Sequence, residues 1–542
     1  MSRHAAEMLA RSMALSGRMV ASCSLRPLPA ASTTRRCSST SSKSPAPAPP
    51  VDSTASSSND HRTIGKAQSL FLTHDSSPGT PFILPHGMRL ARKVERVVRD
   101  LYDVYGYDEV QSPQLYKTSL WKRSGHWDNY RDDMFATEGY KERLERSQSS
   151  SASSSSIEGG RTACCSIEPS ASSAAGTAGG EDETFGLKPM NCPGHCLIFA
   201  SQERSYRDLP IRYAEFSPLH RNEASGALTG LTRVRRFHQD DAHVFCRPDQ
   251  VAAEINSMLA MLTSAYDTFG FASFELVLST RPHDSYIGTL DEWDRAEAGL
   301  KAALESSGRP WELNEGDGAF YGPKIDIRLV DGQGRRHQTA TIQLDFQLPR
   351  RFELSYADPE AKDTNERSVP VMIHRAILGS VERFMAILIE QTAGWWPFWL
   401  SPRQAIILPA KTDSPALAAY AEKVQKSLAL GIAPNAAPSN ASQRHLQRFF
   451  IDIESNPQGE KLGKLVRKAQ LARYNYILVV GEREMETGTV NVRKRDDTNA
   501  PARLRELAAQ DQAKRGEEGK SGQYTVEELR NMFCKLDSHH TW

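Results

Sequence analysis

Apolar side chains recur at two different periods along this 542-residue chain. Leu90, Val94, Val97, Val98 and Leu101 stand at helical spacing and predict a helix over 89–105, stopped by Gly106. Val251, Ile255, Leu259, Leu262 and Tyr266 predict another over 251–269, ended by Gly270. A further helix is expected over 293–304. Elsewhere the period falls to two. Residues 213–245 read as two strands joined by a long loop at 222–232, with Gly226 and Gly230 as turn formers. The second strand puts Gln239, Asp241 and His243 on one face. Residues 107–113 and 274–280 read as strands. Residues 318–330 and 338–346 read as an antiparallel pair, with Thr339, Thr341 and Gln343 together on one face. Residues 369–384 read as strand, Gly-Ser turn and helix, Ser380 capping the helix and Arg383 in its first turn. The helix runs to about 392. Beyond it, strand-like runs at 405–408, 476–480 and 489–492 alternate with helical ones at 416–428 and 462–471, the pattern of a small α/β domain.

Three stretches stand apart by composition. Residues 1–43 carry Arg3, Arg11, Arg18, Arg26, Arg35 and Arg36, and Glu7 is the one acid before Asp52. Arg-rich, Ser-rich and acid-poor, this segment reads as a mitochondrial transit peptide, removed somewhere between Arg36 and Lys43. Residues 44–59 read as a Ser/Pro/Ala linker, and 145–184 as a disordered Ser-rich insertion. Lys+Arg number 67 against Asp+Glu 66, so a nucleic-acid surface has to be a local patch. No apolar run is long enough to span a membrane. The eight cysteines form no paired framework, which fits a reducing compartment.

Arg221, Arg233, Arg235 and Arg236 bracket the 222–232 loop, and a guanidinium fork suits phosphate oxygens. The run His220-Arg-Asn-Glu, followed by Arg233-Val-Arg-Arg-Phe-His-Gln-Asp-Asp-Ala-His243, resembles motif 2 of class II aminoacyl-tRNA synthetases. Within that class it is similar to threonyl-tRNA synthetases. The helix at 89–105 with the strand ending in Pro113 resembles motif 1, and 369–384 resembles motif 3. Ser124-Gly-His-Trp-Asp-Asn-Tyr130 and Lys188-Pro-Met-Asn-Cys-Pro-Gly-His195 are similar to segments of the threonyl enzymes. Together these cover roughly 60–495 apart from the insertion.

The resemblance implies an α+β fold. Residues 60–400 would form a class II catalytic core, an antiparallel sheet flanked by helices, and 401–542 an α/β anticodon-binding domain. It implies a homodimer that activates threonine with ATP and transfers it to threonine tRNA, and the leader at 1–43 places that homodimer in the mitochondrial matrix. Arg221, Arg383 and His126 would be catalytic, His126 beside the terminal ribose. ATP would meet Arg221, Glu223, Arg233, Phe237, Gln338 and Arg383, with Mg2+ bridging its phosphates. Met190, Gln239, Asp241, Tyr321, Gln343 and Ser380 would line the threonine pocket, Asp241 accepting the hydroxyl proton. Cys192, His243 and His374 would hold one Zn2+ per subunit, three ligands with an open position. Lys461, Glu486, Arg493 and Arg495 would meet the anticodon. Ala224, Arg236 and Thr339 depart from the family pattern, and no N-terminal editing domain is expected. A prolyl or seryl enzyme would not need the Cys192/His243/His374 set beside Asp241, and a non-catalytic tRNA-binding module would not need both Arg221 and Arg383.

Overall fold

The computed structural model describes residues 59–542 apart from 140–183, 272, 285, 331–334, 360–366, 412, 431–448, 457–458, 516–518 and 541. The expected leader at 1–43 therefore lies outside the described residues. So do the linker at 44–59 and the insertion at 145–184, apart from Asn59 and Thr184.

Helices α1 (His61–Ala67) and α2 (Pro85–Tyr105) precede an eight-stranded sheet. Helix α2 starts ahead of its apolar stripe because Pro85 supplies a ready-made first turn. Gly106, at φ 70, ends it. The strand expected over 107–113 shrinks to β1 (Asp108–Glu109), since the Ser112 amide bonds the Glu215 carboxylate instead of a neighbouring strand. Helix α3 (Cys192–Ala200) leads to the long hairpin β2 (Ile211–His220) and β3 (Arg236–Cys246). Next come α4 (Val251–Thr268), β4 (Phe274–Ser279), α5 (Leu290–Ser306) and β5 (Trp311–Asn314). The core closes with β6 (Lys324–Val330), β7 (Arg336–Asp345), β8 (Val371–Ser380) and α6 (Val381–Thr392). Spatial order is β5-β4-β6-β7-β8-β3-β2-β1, antiparallel except for the two outermost pairs.

Alternation divides the sheet into two faces. Ala242, Val244, Ile342, Leu344 and Ile373 turn to the back, into one buried cluster with Ile255, Leu259 and Leu262 of α4 and Ile387 of α6. Gln239, Asp241 and His243 turn to the front, under α3. One expectation fails here. Thr339 does not share a face with Thr341 and Gln343. Pairing skips it between Ile327 and Arg328, so β7 bulges and the Thr339 hydroxyl bonds Tyr266 of α4 at 2.8 Å. Gln338 takes its place on the front. Gly379, at φ 67, admits this bulge, because a Cβ there would overlap the Thr339 carbonyl.

A second sheet holds β9 (Ala405–Pro409), β10 (Ile451–Ile453), β11 (Tyr476–Val480), β12 (Thr489–Lys494) and β13 (Gly522–Thr525), in the order β10-β9-β11-β12-β13. Helices α7 (Pro415–Leu430), α8 (Leu462–Leu471), α9 (Glu482–Thr487), α10 (Ala502–Arg515) and α11 (Val526–Ser538) accompany it. Among the described residues no helix is long and apolar enough to cross a membrane.

Candidate active site

Cross-strand register assembles the site. His243 stands opposite His374, His374 opposite Gln343, and Gln343 opposite Lys324. The neighbouring row runs Glu215, Asp241, Ala376, Thr341, Asp326. Opposed residues of antiparallel strands share a face, so residues far apart in sequence meet on one surface. Helix α3 starts above it with Cys192 as its first residue. One ligand atom from each of Cys192, His243 and His374 then lies within 4.8 Å of the others, all three residues buried.

Outer hydrogen bonds decide which atoms face inward. His243 Nδ1 lies 2.8 Å from His195 Nδ1, and His195 Nε2 lies 3.1 Å from Glu215. Lys188 Nζ donates to Glu215 at 2.8 Å, as does the Ser112 hydroxyl. Burial works against this carboxylate, yet the bonds from His195 and Lys188 outweigh it and hold its pKa at about 2. Lys188 already balances Glu215, so a cationic His195 would bury a charge without a counterion. His195 therefore donates from Nε2 and accepts at Nδ1. His243 gives it the Nδ1 proton and keeps a lone pair on Nε2. Burial, with the neighbouring His374 and His195, pushes the His243 pKa well below the usual range, so its ring stays neutral. On the far side, His374 Nε2 donates to Asp345 at 2.9 Å. His374 Nδ1 then faces His243 Nε2 at 3.0 Å. Two ring nitrogens so placed need one positive charge between them, a proton or a metal cation.

The donor chemistry fits zinc. A thiol and two imidazoles are zinc ligands, and two nitrogens on one tetrahedral zinc would stand about 3.3 Å apart. A carboxylate behind one histidine and a His-Glu relay behind the other are outer partners of the kind that orient metal ligands. Burial raises the Cys192 thiol well above its ordinary range. A cation would reverse that, and the N-terminal end of α3 favours the thiolate as well.

Two adjoining cavities open on the front face. One, of about 570 Å³, is lined by Cys192, His243 and His374 and by His126, Met190, Asp241, Tyr321, Gln343 and Lys324. The other, of about 280 Å³, is lined by Glu223, Arg233, Phe237, Gly379, Ser380 and Arg383. Arg221, Gln239, Gln338 and Thr341 border both. Ser380 thus sits on the arginine side, not with the expected pocket residues. Its hydroxyl caps α6, accepting from the Arg383 amide at 3.0 Å. Tyr321 donates to Gln343 at 2.8 Å, and Asn191 donates to Asp241 at 3.0 Å. Burial raises the Asp241 pKa.

Arg383 feels burial first and then the charges of Arg233 and Arg221, all lowering its pKa. Three guanidiniums that repel one another make an anion site. Arg221 lies over the Phe237 ring at 5.2 Å, and Arg233 is paired with Glu223 at 2.9 Å. The Arg233 side chain is half exposed, and an ion pair of that kind opens at little cost. His126 donates from Nδ1 to Ser124 at 2.7 Å, since the Ser124 proton goes to the Trp121 carbonyl. Its Nε2 accepts, 3.9 Å from Cys192 Sγ. Burial lowers the His126 pKa to about 4, so the ring is neutral at pH 7 and a weaker base than an exposed histidine.

The four residues expected at the anticodon do not share one end of the second sheet. Lys461 and Glu486 are exposed where the parallel strands of the second sheet end. Arg493 is exposed at the other end of β12, opposite Ile477. Arg495 is a correction. Its side chain is 8% exposed, pairs with Asp497 and donates to the Trp396 carbonyl at 3.0 Å, so its donors serve the junction with the core. Sequence reasoning also passed over His195, Glu215, Lys188, Asp345 and Lys324. Parity along β6 could have found Lys324, which lies on the row of Gln343.

Known proteins resemble this chain in both of its domains. A family model for the class II tRNA synthetase core domain (G, H, P, S and T) matches residues 177–392, and one for the anticodon binding domain matches 404–509. A protein of Schizosaccharomyces pombe described as a probable mitochondrial threonine–tRNA ligase is 45% identical over 446 residues, 82% of this chain and 85% of that one. Mitochondrial threonine–tRNA ligase 1 of Arabidopsis thaliana is 49% identical over 438 residues, 81% of this chain and 52% of that one, so this chain spans about half its length. A crystal structure described as the RNA binding domain of threonyl-tRNA synthetase from Cryptosporidium parvum Iowa II superposes with TM-score 0.70 at 40% identity, covering 88% of this chain and 98% of that one.

If the cluster holds zinc and His195 sets the tautomer of His243, His195→Phe should weaken zinc retention by about 10–100-fold, the usual loss when an outer partner of a ligand goes. Chelator competition at pH 7 measures this, and unchanged retention would contradict the assignment.

Proposed function

This chain belongs to the threonine–tRNA ligases, class II aminoacyl-tRNA synthetases, and on that premise we propose the residues that do the work and where they do it. The observation that carries the reading is the buried Cys192/His243/His374 cluster beside Asp241, opening onto Arg221 and Arg383. The reaction joins threonine to ATP as threonyl-adenylate with release of diphosphate. The threonyl group then passes to the 3' end of threonine tRNA.

Positioning and charge neutralisation carry the first step. Arg221 borders both cavities, where it can hold the threonine carboxylate and the α-phosphate together. Arg233 holds the outer phosphates once it parts from Glu223, which turns to the adenine amino group. Phe237 and Arg383 sandwich the ring, and Gln338 lines the junction. Class II synthetases use Mg2+ with ATP. Zn2+ held by Cys192, His243 and His374 would supply open positions for the amino group and hydroxyl of threonine. Asp241 accepts the hydroxyl proton, while Asn191 holds its other oxygen. Met190, Tyr321 and Gln343 close the pocket. His126 Nε2 takes the ribose proton in the transfer step. Lys461, Glu486 and Arg493 serve the anticodon. The active form is a homodimer of the mitochondrial matrix.

Three measurements test this reading. In threonine-dependent ATP–pyrophosphate exchange, serine should fall behind threonine by roughly 10–200-fold, the cost of a missing methyl. Valine, which leaves Asp241 unmatched, should fall much further. Comparable exchange with valine and serine would refute selection through the hydroxyl. Arg493→Ala should raise the tRNA KM in aminoacylation several-fold and leave exchange unaltered. An unchanged tRNA KM would place the contact elsewhere. Residues 1–43, fused to a reporter, should carry it into mitochondria. A cytosolic reporter would remove the leader from the account.

A further inference from the structure

The loop between β2 and β3, which bears Glu223 and Arg233, is tied to α6 in two ways. Arg383 Nε donates to the Thr232 carbonyl at 3.0 Å. The preceding amide, that of Leu231, donates to His61 Nε2 at 3.1 Å. That nitrogen is therefore an acceptor, and the ring proton sits on Nδ1. His61 Nδ1 donates it to Glu390 Oε1 at 2.7 Å. Glu390 lies on α6 two turns beyond Arg383, and Arg335 holds its other oxygen. The loop backbone is seated on the imidazole: Gly230 has φ +49, and a Cβ there would overlap His61 Nε2. The same N-terminal segment holds the far end of the loop, where Arg235 donates its amide to the Gly79 carbonyl at 2.6 Å. Asp60, His61 and Glu390 offer ligand atoms within 4.8 Å of one another. They are no metal site, because both His61 nitrogens are spent and Asp60 is held by Arg62.

We infer that His61 is a positioning residue for the adenylation step, fixing the Arg233-bearing loop against the Arg383-bearing helix from outside both cavities. The inference rests on the reading of those two arginines as ATP ligands. The two ties respond differently to ATP. Arg383 and Thr232 both line the arginine-side cavity, so their bond is open to disturbance by a nucleotide. The relay from Leu231 through His61 to Glu390 lines neither cavity and stays closed. It keeps Arg233 in register with Arg383 whatever a nucleotide does to the first tie.

The test compares His61→Ala, His61→Gln and His61→Asn in the full chain, by pyrophosphate exchange and thermal unfolding. Glutamine can place an acceptor where Nε2 was and recover the Leu231 bond. Asparagine reaches only as far as Nδ1 and keeps the bond to Glu390 alone. The Ala and Asn variants should raise the ATP KM by about 5- to 20-fold, the effect of one lost buried hydrogen bond. The threonine KM should stay within about two-fold of wild type, and the Gln variant should recover most of the ATP KM. A merely structural role would lower Tm in all three and move both KM values together. An unaltered ATP KM in His61→Ala, or equal effects from Gln and Asn, would overturn the inference. Absence of threonine-dependent exchange in the wild type would strike the reading of the site itself, and the inference with it.

Discussion

The approach of His243 Nε2 to His374 Nδ1, 3.0 Å in a buried pocket, is the constraint on which the rest of the site depends. Each ring is pinned from behind. Glu215 and Lys188 act on His243 through His195, and Asp345 acts on His374 directly. Neither ring can turn without leaving a buried polar atom unpaired, which costs about 1–3 kcal/mol. The electron pairs that converge at the centre are thus set by groups that never touch it. A cation resolves the conflict, and the Cys192 thiol, brought in at the start of α3, completes a zinc-type donor set.

The same sheet that holds these ligands separates two tasks. Front-facing residues of β3, β7 and β8 make a pocket whose polarity suits a small hydroxylated amino acid. Beyond the shared wall of Arg221, Gln239, Gln338 and Thr341, three guanidiniums crowd together and await an anion. Arg221 stands on the boundary between the two cavities. The apolar back face, closed by α4 and α6, keeps the strands in register and so keeps both tasks aligned. The N-terminal segment adds a brace through His61, reaching the loop and the helix at once.

Much of this was legible in the sequence because a two-residue period is a geometric statement. Gln239, Asp241 and His243 had to share a face, and Asp240 and Ala242 between them had to turn to the back. Ser380 as a cap followed from residue type and position alone. The proposed zinc ligands were a different matter: Cys192, His243 and His374 match no local spacing, and only resemblance brought them together. What stayed hidden was non-local. His195, Glu215 and Asp345 look like ordinary buried polar residues until the fold shows which rings they bond. The bulge at Thr339 cannot be read from alternation, which assumes no residue is skipped. Arg495 was expected at the anticodon, but the Trp396 carbonyl and Asp497 draw it into the junction with the core. His61 carried no signal at all, since its partners stand 170 and 329 positions away.

X-ray absorption at the zinc edge tests the central claim most directly. The account predicts that purified protein retains one zinc per chain, with one sulfur at about 2.3 Å and nitrogen or oxygen ligands at about 2.0–2.1 Å. Added threonine should change the light-atom shell and leave the sulfur in place. A chain that holds no zinc, or a metal shell without sulfur, would contradict it.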